Sequence, residues 1–199
     1  MPIKATHVNN FNLFNERKAA QAAAYLLFRA GGRLSVLKLI KLMYLAERES
    51  FKRYGDSITG DRFASMPHGP VLSKTYSLIG GFELSTEGGW EGWISDRAGH
   101  DVALRDSSMI RSPQEDLVAL SDSDLECLDV TWQEFGHWEK FKLRDYTHTD
   151  ACPEWQDPLG GSRDIPYGRL LKAVGHTPDQ VSALERRLHD QRYISKAFS

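Results

Sequence analysis

Apolar positions recur at helical spacing from the first ordered-looking stretch of the chain. Ala19, Ala20, Ala23, Leu26, Leu27 and Ala30 lie three or four residues apart, which predicts a helix from about Asn15 to Arg29 that stops at Gly31-Gly32. Its alanine-rich face allows another helix to approach closely. Ser35 is a suitable N-cap for a second helix that runs to Gly55, a helix C-terminal stop. At 100° per residue, Val36, Leu39, Ile40, Met43, Ala46, Phe51 and Tyr54 fill one broad arc of this helix. Lys38, Lys41, Arg48, Glu49 and Lys52 crowd the other side, and Leu42 and Leu45 fall partly outside the apolar arc. A stripe this wide implies a helix covered by neighbours on more than one side. Glu47 is the exception, because it projects from the middle of the apolar arc.

Beyond this helix the pattern shortens. An extended piece is expected around Arg62 to Ser65, then a turn through Pro67-His68-Gly69-Pro70, then a helix from about Val71 to Ile79. Trp90 to Ser95 and Asp101 to Arg105, joined by Arg97-Ala98-Gly99, read as a β-hairpin. Ser121 and Asp124 form a capping-box-like start for a helix carrying Leu125, Leu128, Trp132 and Phe135 on one face and ending near Gly136. Trp138 to Tyr146 is a further helix, Asp164-Ile165-Pro166 opens a short one, and Thr177-Pro178 with Gln180 opens the last. The fold class expected is mainly α: a compact helical domain over residues 1–199 with a small β-hairpin element, α+β in a minor sense.

Composition narrows the partners. A chain of 199 residues, 41% hydrophobic, buries a core without staples. Its 25 Lys and Arg against 27 Asp and Glu are scattered, so neither a nucleic-acid surface nor a membrane surface is expected. Met1 to Phe11 lacks the features of a signal peptide and no apolar run is long enough to span a bilayer, which points to the cytoplasm. Cys127 and Cys152 are expected as free thiols in a reducing compartment.

No catalytic or metal site emerges. His68, His137 and His148, with Cys152 four residues after the last, lack the spacing of a metal site, and neither HExxH nor paired CxxC is present. GxSxG is absent, and the glycine doublets at 31, 80, 88 and 160 read as turns, not phosphate cradles. The two helices around AGGRLS have the outline of a helix-turn-helix, but the second is the most apolar helix of the chain, where a recognition helix needs a polar face. A carboxylate at Glu47 on a buried stripe must find donors or a cation, and Arg62 and His68 are the partners expected for it. Trp90 and Trp93 sit on a ribbon too small to bury both of its faces, which marks them as a contact surface.

One stretch carries a family likeness. Lys41-Leu42-Met43-Tyr44-Leu45-Ala46-Glu47-Arg48, then Gly60-Asp61, then His68-Gly69-Pro70-Val71 with Tyr76, resembles the signature of the SocA-like, or Panacea, antitoxin domain. Leu120 to Gly136, followed by Tyr146-Thr147-His148 and Trp155, is similar to the second half of that domain, so the likeness spans roughly 16 to 156. The resemblance implies a small, mainly helical, often mobile-element-associated protein, encoded beside a toxin that it neutralises by direct contact. It implies no cofactor and no catalytic residue. One role known in the family is that of an adaptor presenting the toxin to the AAA+ protease ClpXP. On this reading Lys41, Tyr44, Arg48, His68, Trp90 and Trp93 are the expected partner-binding residues. Glu47, Arg62, Gly69, Pro70, His148 and Trp155 are the expected structural ones.

Overall fold

The computed structural model describes residues 13–197. Helix α1 (Glu16–Arg29) starts where the Asn15 side chain accepts from the Lys18 N–H, and its alanines are buried. Gly31 and Gly32, at φ +80° and +99°, turn the chain back on itself. The turn leads not directly into a helix but into a short strand, β1 (Arg33–Ser35). Helix α2 (Val36–Tyr54) follows, with the Ser35 hydroxyl accepting from the Lys38 N–H at one end and left-handed Gly55 at the other.

Strands β2 (Phe63–Met66) and β3 (Gly69–Leu72) form a tight hairpin around Pro67-His68. Val71 and Leu72 therefore belong to a strand, and helix α3 (Ser73–Ile79) begins two residues later than the sequence suggests. The reason lies far away in sequence. The buried Asp61 carboxylate accepts from the N–H groups of Lys74 and Thr75 and from the Thr75 hydroxyl, so it caps α3 from outside.

The expected hairpin at 90–105 is corrected in its first half. Trp90 to Trp93 is a single helical turn, α4 (Trp90–Trp93), and Trp90 is only 4% exposed. Glu16 causes this, because its carboxylate accepts from the Trp90 N–H at 2.8 Å and from Thr86 and Ser85. Burial works to raise the Glu16 pKa, but these donors outweigh it and hold it below the usual range. Only the second half is ribbon-like: Ile94 faces Leu104, and β4 (Asp101–Ala103) pairs antiparallel with β1.

A 3₁₀ turn at Ser107–Met109 and the short α5 (Pro113–Asp116) lead to α6 (Asp122–Phe135), which opens on a complete capping box between Ser121 and Asp124. After α7 (Lys140–Tyr146), residues 163–165 form a strand just ahead of the expected short helix, which starts at Tyr167 with Pro166 as its N-cap. This strand, β5 (Arg163–Ile165), completes a sheet in the order β3-β2-β5. Pairing with β2 decides the outcome, since three isolated residues have no strand stability of their own. Helices α8 (Tyr167–Ala173) and α9 (Pro178–Ala197) close the chain.

The fold is mainly α with two small antiparallel sheets. Helix α2 is its axis, packed by α1, α6, α7, α8 and β3. One continuous cluster of apolar side chains reaches from Ala20 to Leu188. Among the described residues, no helix is long and apolar enough to cross a membrane.

Candidate partner-binding site

Because α2 is covered on nearly every side, its polar residues are drawn into the interior. Lys41, placed by helical periodicity on the polar face, is 1% exposed, and its amino group donates to the Pro70 carbonyl at 2.7 Å. Burial pushes its pKa down to about 7. Tyr44 is fully buried and donates to the Glu154 carboxylate, which also pairs with Arg48 (Nε to Oε1, 2.7 Å). Burial and the adjacent Glu154 charge drive the Tyr44 pKa well above the ordinary phenol value.

Glu47 is buried as expected, but neither Arg62 nor His68 supplies its hydrogen bonds. The loop after α2 does: the N–H groups of Ile58 and Thr59, at 3.0 and 2.8 Å, and the hydroxyls of Ser57 and Thr59 all donate to its carboxylate. Three consecutive loop residues converge on one carboxylate, which spares the helix a buried cation. Burial still leaves the Glu47 pKa raised. His68 sits exposed at the tip of the β2–β3 hairpin, and Arg62 is also exposed.

The same hairpin is clamped from its other side. His148 packs edge-on to Trp155 at 4.3 Å, with Nδ1 against the Arg144 carbonyl at 2.6 Å and Nε2 against the Pro67 carbonyl at 3.3 Å. Trp155 donates from its indole to the Met66 carbonyl. Gly69, at φ +90°, passes so close that a Cβ would come within 3 Å of Thr147, Lys41 and His148. Lys41, Tyr44, Gly69, Pro70, His148 and Trp155 are thus brought together as the tie between α2, the hairpin and the end of α7. Lys41 and Tyr44 consequently offer a partner no surface, and Arg48 is mostly covered. Trp90 is part of the core, and Trp93 is half-buried against it, so the pair does not form an open aromatic face.

The accessible apolar surface lies beside this tie. A groove of about 500 Å³ opens between the start of α2, the β2–β3 hairpin, α3 and α7. Val36, Ile40, Val71 and Tyr76 line it, with the exposed rings of Phe82 and Phe141 as its lips. Phe82 is 79% exposed and Phe141 54%. The basic residues lining it are Lys41, His68, Arg97, His100 and Lys140, and no lining residue is Asp or Glu. Of the expected partner-binding residues, only His68 and Lys41 line this groove. Phe82 and Phe141 lie outside any periodic stripe, and that isolation was the only signal available.

The chemistry that these residues can perform is limited. Burial pushes the thiols of Cys127 and Cys152 up to about 12, so neither supplies appreciable thiolate near neutral pH. Ser35-Val36-Leu37-Lys38 has the spacing of a serine–lysine pair, but the Ser35 hydroxyl caps α2 and the Lys38 amino group donates to the Gly136 carbonyl at 2.7 Å. Among the described residues, no three His, Cys, Asp or Glu side chains are grouped to hold a metal ion. The helix-turn-helix outline also dissolves, because β1 separates α1 from α2 and residues 39–47 of α2 are all buried.

A model of the family described as antitoxin SocA-like, Panacea domain, matches residues 39–156. No curated protein and no solved structure matches the chain.

Proposed function

The chain belongs to the SocA-like Panacea-domain family, and from this membership we propose that it is an antitoxin that neutralises a cognate toxin by direct contact. The observation that carries the reading is the family match from Leu39 to Gln156, which takes in α2, the β2–β3 hairpin and the segment that clamps them. The internal use of Lys41, Tyr44, Glu47 and Arg48 supports it, since these polar groups are spent on holding the fold and not on converging around a substrate. Binding is the mode favoured by a groove whose lips are exposed aromatic rings, because such rings anchor protein interfaces.

Co-expression of the protein with the product of the adjacent gene tests the proposal. The expected result is restored growth, a complex that survives purification, and neutralisation that saturates when the two proteins are equimolar. Neutralisation at antitoxin levels far below those of the toxin, without co-purification, overturns the reading in favour of catalysis. Pulse–chase of the toxin in cells with and without ClpXP separates sequestration from delivery to the protease.

A further inference from the structure

The groove between α2, the β2–β3 hairpin and α7 combines apolar walls with one sign of charge. Its lining holds two accessible cations, Arg97 and Lys140, and two histidines but no carboxylate, in a chain whose acidic residues outnumber its Lys and Arg by 27 to 25; Lys41, buried in the tie, adds no surface charge. Lys41, Arg97 and Lys140 form no ion pair among the described residues. The Lys140 amino group lies over the Phe141 ring at 5.2 Å, and Arg97 donates only to the Gly99 carbonyl. Some cations elsewhere are paired, as Lys74 is by Glu83 and Arg53 by Glu49 and Glu126.

We propose that this groove is the docking site for a segment of a partner protein that inserts apolar side chains between Phe82 and Phe141 and flanks them with Asp or Glu. That the partner is the toxin rests on the antitoxin reading above; the chemistry of the segment rests on the groove itself. A space of about 500 Å³ holds a few side chains, within the roughly 300–1,000 Å³ usual for a binding cleft. Flanking carboxylates find the rim cations without any acidic residue in the lining to repel them, and unmatched charge in a desolvated interface selects the partner of opposite sign.

The test uses two labelled peptides with the same apolar anchors, one flanked by Glu and Asp and the other by Lys and Arg, titrated with the full chain by fluorescence anisotropy. The acidic peptide is expected to bind at least about tenfold more tightly, with the difference shrinking as salt is raised. Arg97→Glu combined with Lys140→Glu should reverse the preference. Residue 140 opens α7, where a carboxylate suits the helix dipole, so the substitution spares the fold. Equal binding of the two peptides, failure of both to bind, or a preference unmoved by the double substitution overturns the proposal. In the co-expression assay, the same double variant and Phe141→Ser should lose neutralisation. Toxin binding at full affinity by these variants removes the groove as the toxin site while leaving the antitoxin reading intact. Wild-type protein that ignores the toxin but discriminates the peptides does the reverse.

Discussion

The Lys41 amino group donates to the Pro70 carbonyl at 2.7 Å in the interior, and no carboxylate forms an ion pair with it among the described residues. A backbone carbonyl satisfies one of three donors and does nothing for the charge, so the neutral amine is the form that burial favours.

A pH-dependent stability follows. With its pKa depressed from the ordinary 10.5 to about 7, Lys41 is neutral in the folded chain and charged in the unfolded chain between those values. Its stabilising contribution is therefore full above 10.5 and lost as the pH falls through 7. Wild type should gain about 1.4 kcal/mol per pH unit over Lys41→Met between pH 7 and 9. Above pH 9 the buried thiols, raised to about 12, lower the absolute stability of both proteins. Urea unfolding of both proteins at pH 6, 7, 8 and 9 measures the difference, and a constant gap across the series refutes the assignment.

Glu47 should behave as a loop cap and not as half of an ion pair. Removing it with Glu47→Ala strands the donors of Ser57, Ile58 and Thr59, at a cost of about 2–4 kcal/mol. A double-mutant cycle with Thr59→Val should show coupling of about 1 kcal/mol or more, whereas one with His68→Ala should show none. Its raised pKa adds a second signature: relative to Glu47→Gln, the wild type loses stability as the pH climbs from 4.5 through the folded-state value. Coupling to His68 of similar size would restore the ion-pair account.

The helices were legible because their signals are local. Asn15, Ser35 and the Ser121–Asp124 box each cap the helix that they precede, and the apolar spacing between them marks the core. What was illegible depends on carboxylates acting at a distance in sequence. Glu16 winds Trp90–Trp93 into a helical turn, Asp61 starts α3, and Glu154 receives Tyr44 from 110 residues away. Periodicity also misplaced Lys41, because a helix surrounded by α1, α6, α7 and α8 has no solvent face left for it. The candidate groove was visible only in part, through His68 and Lys41, since Phe82 and Phe141 come to line one groove only in three dimensions.

Gly69→Ala should be more damaging than a surface glycine substitution. Its φ of +90° disfavours any side chain, and the added methyl would lie 2.7 Å from the Thr147 hydroxyl and 2.8 Å from the Lys41 amino group. A loss of about 2–4 kcal/mol is expected. Gly99→Ala, with a similar left-handed backbone but open space around it, should cost about 1 kcal/mol. Thermal melts of the two variants check the contrast, and equal shifts would mean that the hairpin clamp yields easily.

Trp90 and Trp93 separate core from surface in a single helical turn. Trp90 is buried beside α1, with its backbone held by Glu16, so Trp90→Ala should cost about 3–5 kcal/mol of stability through the cavity it leaves. The surviving folded protein should bind the toxin with unchanged affinity, because the truncated ring never reached the surface. Trp93 is half-buried and packs only partly on the core, so Trp93→Ala should destabilise by less, about 1–2 kcal/mol. Neither residue lines the groove between Phe82 and Phe141, so on the docking proposal the loss of binding is expected from those two rings and not from the tryptophans. Denaturant melts paired with calorimetric titration of the toxin resolve both quantities in each variant. A stable Trp90→Ala protein with weakened toxin binding would return the tryptophan pair to the interface and take the groove out of it.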